Sequence, residues 1–219
     1  GEVEASQGGM ALRAENVVLV RRSDGRLESA TATPAVTGTA TRVAGGSAGF
    51  VAREARALWD RSGNVESVTL SGGARVQHSR GTIAADRIQA KALDASGGFA
   101  LFASGQVAAS APTSKGSATL SCDALRANLD AGGTARDGDA TGNIRFDGEG
   151  TAGEAAEASF TSLVAGGTVT LRASGDRRAR LASGRTRVVA ETIVSDLRGV
   201  KLMADQPIRW SVAGDLLIL

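Results

Sequence analysis

A chain of 219 residues is long enough for one elongated domain or two small ones, and it can bury a sizeable core. Its 29 glycines stand beside five phenylalanines, two tryptophans and no tyrosine, so the bulky side chains of an ordinary sandwich core are scarce. The 25 basic and 23 acidic residues leave a formal net charge of +2, which argues against a nucleic-acid partner although the calculated pI is about 9.2.

A short pattern recurs along the chain, in which an apolar residue, any residue, a small residue and an acidic residue follow one another. Its copies are Leu12 to Glu15, Val51 to Glu54, Ile83 to Asp86, Leu120 to Asp123, a poorer copy ending at Glu157, and Val188 to Glu191. The acidic positions are 39, 32, 37, 34 and 34 residues apart, a spacing typical of repeat proteins. We therefore predict about six strand-turn-strand units that begin near residues 10, 49, 81, 116, 150 and 184.

The most regular unit begins at Gly63, where apolar and polar residues alternate on both sides of the pair Gly72 and Gly73. This alternation predicts a strand, a bend and a second strand, because successive side chains of a strand point to opposite faces. A glycine or a proline marks the corresponding bend in the other units, and glycine adopts positive φ at little cost. The acidic residues fall at the predicted strand ends, where we expect them to accept turn N–H groups rather than to act in catalysis.

Two segments have helix-favouring composition, residues 49–59 and 153–158, but their better-patterned counterparts in other units are strands. We predict strands for both. The glycine-rich stretches 44–49 and 130–138 are predicted to be loops. Neither marks a domain boundary, so residues 1–219 are interpreted as a single elongated all-β domain.

The runs Gly81 to Ile88 and Val68 to Val76 resemble the repeat of the OstA-like periplasmic lipopolysaccharide-transport proteins, a family that includes LptA, the LptC periplasmic domain and the LptD N-terminal domain. The resemblance is best in residues 49–90 and 97–127, and weaker copies extend it from Met10 to Trp210. It implies a slightly twisted β-jellyroll, open at both ends, in the periplasm. It also implies a non-enzymatic role in outer-membrane assembly, as a bridge whose groove shields lipopolysaccharide acyl chains.

The resemblance further implies partners: lipopolysaccharide or a similar amphipathic lipid, and other jellyroll transport proteins joined by pairing of edge strands. Head-to-tail assembly of copies of this chain would use the same edges. Independently of the family, alternation places a set of apolar side chains on one face, which we predict lines the groove. These residues are Val68, Leu70, Val76, Ile83, Leu101, Val107, Leu120, Ile144, Phe146 and Leu171.

Two alternatives stay open at this point. The same apolar side chains would also fill the dry core of a structural or adhesive β-solenoid scaffold. The basic run containing Arg177, Arg178 and Arg180 suits contact with the phosphates of a lipid headgroup, because guanidinium binds phosphate bidentately, but such a run is also typical of a solvated strand face.

Enzyme chemistry has weak support in the sequence. Residues 45–49 match the G-x-S-x-G pattern around Ser47, and a triad would need His78 with Asp60, yet the chain lacks the alternating helices of a hydrolase sheet. One histidine and one cysteine are too few for a typical zinc site. We predict no catalytic residue, metal or cofactor.

The single cysteine, Cys122, cannot form an internal disulfide, and we predict that it is a small buried apolar residue. No apolar run approaches the roughly 18 residues that a transmembrane helix needs. Residues 1–4 lack the features of a signal peptide, so we expect the mature part of the protein if it is exported.

Overall fold

The computed structural model describes residues 2–7, 9–43, 46–93, 97–113, 116–161, 167–196, 209–212 and 215–218. Within these ranges the chain forms nineteen β-strands and no helix, so the predicted all-β class is confirmed. The strands with a described register pair antiparallel throughout. The same ranges contain no helix that is long and apolar enough to cross a membrane.

The strands are β1 (Val3–Gln7), β2 (Met10–Ala14), β3 (Asn16–Arg21), β4 (Leu27–Thr33), β5 (Val36–Val43), β6 (Gly46–Ala52), β7 (Glu54–Trp59), β8 (Val65–His78), β9 (Gly81–Ala92), β10 (Phe99–Thr113), β11 (Gly116–Leu129), β12 (Ala135–Gly148), β13 (Thr151–Thr161), β14 (Thr168–Arg172), β15 (Ala179–Ser183), β16 (Thr186–Ala190), β17 (Thr192–Asp196), β18 (Arg209–Val212) and β19 (Asp215–Ile218).

The chain divides into two compact units. Unit one comprises Gly1–Gly105 and Asn128–Thr134, and unit two comprises Gln106–Ala127 and Ala135–Leu219. In unit one, β2, β5, β6 and the end of β8 pair in that order, and β1 pairs with the free side of β2. A second series pairs β3, β4, β7 and the start of β8. The long strand β9 pairs with β8 along both series.

The two series of unit one meet at a line of bends. Strands β2 and β3 meet at Glu15, strands β6 and β7 meet at Arg53, and the register of β8 shifts between Ser71 and Ala74. Two glycines at this shift, residues 72 and 73, both have φ of 78°, as the sequence predicts for a bend. The segment β2–β3, the segment β6–β7 and the long strand β8 therefore each contribute one part to the first series and one part to the second.

Only glycine fits at residue 72 of this bend, because a Cβ atom there would lie 2.6 Å from the Cβ of Arg53. The neighbour at this bend is thus Arg53, one residue before the acidic Glu54 of the sequence pattern. At the next bend, a Cβ at Gly105 would lie 2.3 Å from Oδ2 of Asp86. Asp86 lies within β9 rather than at a strand end, so the predicted strand-end location is wrong for it: the strand continues through the bend.

Unit two has the same kind of bend. The register between β12 and β13 shifts between Thr141 and Ile144, where Gly142 and Asn143 have φ of 72° and 49°. Asn143 donates from Nδ2 to Oδ2 of Asp123 over 2.9 Å, which holds the bend against β11. Strand β13 pairs with β14 along one half and with β15 along the other, and these continue to β17 and to β16, respectively.

The strands predicted over the two helix-favouring segments are confirmed as β6, β7 and β13. The two predicted loops are wrong in part. Strand β6 already begins at Gly46, where small residues pair with β5 and β8 on both sides, so the ladder outweighs the local preference of glycine. In the second stretch, a turn closed by the Asp130 carboxylate ends at Thr134, and β12 begins at Ala135.

Candidate functional site

The candidate site is the inner apolar face of the bent strands, and in unit one it is built from rows of side chains that face one another across the ladders. The register aligns Leu12, Gly38, Phe50, Val76 and Ile83 across five neighbouring strands. Cross-strand neighbours of this kind lie on one face of a sheet. The pairing of Val76 with Ile83 agrees with their predicted position on a common face.

The other half of unit one contributes the predicted residues Val68 and Leu70 to the same inner face. Val68 packs against a buried cluster of Leu27, Ala30, Ala57 and Trp59. Met10, which belongs to the first series of strands, packs against this cluster too. The inner faces of the two halves therefore touch at this end of unit one, at the cluster that contains Trp59.

Three phenylalanines of the inner face lie over glycines on the neighbouring strand. Phe50 is paired with Gly38, and a Cβ on that glycine would lie 2.3 Å from Cζ of the ring. The same arrangement joins Phe146 to Gly153 and Phe160 to Gly138, with distances of 2.4 and 2.5 Å. An aromatic ring that covers a strand glycine replaces the packing that glycine lacks. We call these the Phe–Gly pairs.

Unit two has a closed interior around one apolar cluster. A buried cluster there contains Leu171 and Ile193, which are 1% and 0% exposed, with Leu181 and Val188 from the other half. Phe146 packs against its border. Because Leu171 and Ile193 have almost no accessible surface, this cluster is a packed core and leaves no room for a guest molecule.

The ten predicted groove residues fall into two groups. Four are buried: Leu70, Val107, Ile144 and Leu171, with 4%, 1%, 1% and 1% of their surface exposed. Six are half-buried: Val68, Val76, Ile83, Leu101, Leu120 and Phe146. Only the second group keeps apolar surface that a ligand could cover in this conformation.

The sequence analysis missed several residues of the inner face: Leu27, Phe50, Trp59, Leu181, Val188 and Ile193. For Trp59 the signal was present, because Ala55, Ala57 and Trp59 alternate with Glu54, Arg56 and Leu58. The helix-favouring composition of this segment concealed the alternation. Alanine forms much of the remaining core, so apolar bulk alone is a poor guide to the interior.

The predicted headgroup arginines are exposed, but two of them have intramolecular partners. Arg177 donates from a guanidinium nitrogen to Oδ1 of Asn143 over 2.7 Å, and Arg178 forms an ion pair with Glu191. Both contacts lie beside the bends of unit two. Arg180 projects from β15 as an exposed side chain, as expected for a solvated strand face.

The residues of the serine-hydrolase pattern do not assemble into a triad. Ala48 is opposite His78 in the ladder, so the adjacent Ser47 points to the other face of the sheet. Asp60 lies in a turn, where the backbone N–H of Asn64 donates to its carboxylate and lowers its pKa. Among the described ranges, no group of three or more histidine, cysteine, aspartate or glutamate residues is placed to hold a metal ion.

Cys122 is buried, as predicted, and burial raises the pKa of its thiol to about 11, with a smaller contribution from the Asp123 carboxylate. The thiolate is the reactive form, so at about pH 8 the folded chain holds the thiol protonated, and the thiolate forms only as the pH rises through 11. We expect iodoacetamide to label the folded chain far more slowly than the urea-unfolded chain, measured by intact mass. Equal labelling rates would contradict a closed environment around Cys122.

No protein-family model matches the sequence, and no curated protein matches it.

Proposed function

We propose that this chain is a non-enzymatic component of a lipid-transport bridge, whose bent strands form a slightly twisted open β-jellyroll of the OstA-like kind. The observation that carries the proposal is the inner apolar face, on which Val76 and Ile83 remain half-buried. Acyl chains laid against such a face would exchange water for apolar contacts, worth about 0.8 kcal/mol for each methylene buried. The ligand would be lipopolysaccharide or a similar amphipathic lipid, carried across the periplasm.

An apolar edge strand supports the second part of the proposal, that copies or related jellyrolls join by strand pairing. Strand β3 has a register with β4 alone among the described residues, and its Val18, Leu19 and Val20 are 62%, 46% and 44% exposed. These side chains alternate between the two faces, so both faces of the edge are apolar. Soluble proteins protect such an edge, because it would otherwise pair with another chain. A strand added to β3 would bury it.

A packed scaffold is the second candidate function, and the closed cluster around Leu171 and Ile193 favours it. In that case the inner face holds the halves together and binds nothing. The two functions differ in what the half-buried positions contact, since in a scaffold Ile83 would meet only protein and water.

Photo-crosslinking distinguishes the two functions. We expect benzoylphenylalanine at Ile83 or Leu101 to form adducts with purified lipopolysaccharide, because both are half-buried positions of the predicted groove. The matched control is Arg87, an exposed position on β9. Adducts are detected by a mass shift and by immunoblotting. If Ile83 and Leu101 give no more adduct than Arg87 in a chain with an unchanged circular dichroism spectrum, the scaffold replaces the transport bridge.

A further inference from the structure

A concave trough crosses the outer face of unit one, on the side of the sheet away from the apolar interior. Its volume is about 760 Å³. It is lined by side chains from five strands: β1, β2, β5, β6 and β8. The trough does not belong to the inner face discussed above, and it has a different chemistry.

Two rows of side chains form the banks of this outer trough. The ladder registers align one bank as Glu4, Arg13, Thr37, Val51 and Arg75, which we call the arginine row. The other bank is Ser6, Ala11, Thr39, Gly49 and Gln77, which we call the hydroxyl row. The intervening residues, among them the buried Leu12 and Phe50, belong to the row whose side chains point to the opposite face of the sheet.

The dimensions of the trough suit an extended chain that lies across the strands. Five strands at a spacing of about 4.8 Å give a length of about 19 Å. Arg13 and Arg75 are three strand spacings apart, or about 14 Å. A guest in this direction cannot extend the sheet, because the ladders on both sides already use the backbone groups of β5 and β6. Side chains must therefore supply the recognition.

The side chains on the two banks are mostly polar, and they carry one uncompensated positive charge. Glu4 forms an ion pair with Arg13, whereas Arg75 has no partner among the described residues. Hydroxyl and amide groups come from Ser6, Thr37, Thr39 and Gln77, and Val51 contributes a large exposed apolar side chain. Such a lining provides hydrogen bonds for a hydroxyl-rich chain and a bidentate contact for a carboxylate or phosphate, but no aromatic anchor for a peptide.

We propose that the outer trough binds a linear acidic glycan, with the Arg75 guanidinium on a carboxylate or phosphate of the sugar chain and the hydroxyl row on its hydroxyl groups. The acidic group could belong to the sugar portion of a glycolipid or to a free polysaccharide, since both present the same chemistry. This inference does not depend on lipid in the interior, because the two faces of the sheet are separate surfaces.

Gly49 offers a way to close the trough without disturbing the core. A Cβ on this residue would meet nothing within 4 Å, and its backbone does not require glycine. Gly49→Leu therefore places a side chain in the trough itself. The matched charge control is Arg56→Ala on β7, which removes an exposed arginine without a partner among the described residues, from outside the trough.

The test is calorimetric titration at low salt with three probes: hexagalacturonate, the sugar portion of lipopolysaccharide freed of acyl chains, and neutral maltohexaose. We expect at least one acidic probe to bind, and maltohexaose to bind about tenfold more weakly because it lacks the charge-assisted contact. Arg75→Ala should weaken acidic binding about threefold to tenfold. Gly49→Leu should abolish binding, and Arg56→Ala should leave it unchanged.

The acidic probe that binds identifies the source of the glycan: hexagalacturonate a free polysaccharide, and the phosphorylated sugar a glycolipid. Two results would overturn the proposal. The first is that neither acidic probe binds. The second is that Arg56→Ala weakens binding as much as Arg75→Ala, which would show general attraction of an anion to the surface. Circular dichroism of each variant verifies that it is folded.

Discussion

Leu171→Ala lowers the free energy of unfolding by about 3 kcal/mol, within the range typical of a leucine removed from a closed core. Leu171 is 1% exposed and belongs to the cluster that joins the two halves of unit two. The substitution leaves a cavity between side chains that are anchored on different strands, so the surroundings can relax only partly. Urea denaturation followed by circular dichroism measures the change.

Val189→Ala is the matched control for this measurement, because Val189 lies on the neighbouring strand β16 with 37% of its surface exposed. We expect it to change the free energy of unfolding by no more than about 0.5 kcal/mol. If the two variants are equally stable, the interior of unit two is loose rather than packed. In that event the scaffold interpretation loses the observation that favours it.

Gly38→Ala destabilises the chain by about 1 to 3 kcal/mol, the usual cost of overpacking. The added methyl would lie 2.3 Å from Cζ of Phe50 and 2.6 Å from the backbone oxygen of Ala11. The ring can turn away, but the carbonyl is fixed in the ladder between β2 and β5. The substitution therefore costs packing energy and strains the pairing of these two strands.

Gly49→Ala on the adjoining strand is the control, since its methyl would enter open space. Neither glycine has a positive φ, so the two variants differ in steric surroundings and not in backbone strain. Thermal unfolding of both variants measures the difference. A Gly38→Ala protein as stable as Gly49→Ala would show that Phe50 does not rest on Gly38. The double variant Gly38→Ala, Phe50→Leu should recover part of the lost stability, because the smaller side chain makes room for the methyl.

Local pattern predicted the strands and the bends well. The pair Gly72 and Gly73 marks a bend because glycine adopts positive φ at little cost, and Val76 pairs with Ile83, which alternation assigns to the same face. Both facts depend on residues close in sequence. The sequence pattern did not indicate that Arg53 lies beside Gly72, because that neighbour is set by the ladder register with a strand about 20 residues away.

The candidate site was harder to predict than the strands that carry it. Alternation identifies the inner face but does not indicate how closely the two halves approach, so Ile83 and Leu171 looked alike in sequence. Leu171 is sealed because Leu181 and Val188 from the other half reach it, whereas Ile83 keeps part of its surface. The outer trough gave no local signal at all, because its banks are assembled from single residues on five strands.

The Phe–Gly pairs also bear on how the chain finds its correct alignment while it folds. A slip of one residue turns apolar side chains to the wrong face, so alternation opposes it, but a slip of two residues preserves the alternation. A two-residue slip of β6 along β5 would place Phe50 opposite Val36 or Ala40 in place of Gly38. The ring would then meet a side chain. The pairs therefore favour the native register in a chain of similarly patterned strands, where hairpins misaligned by two residues would otherwise be close in free energy to the native one.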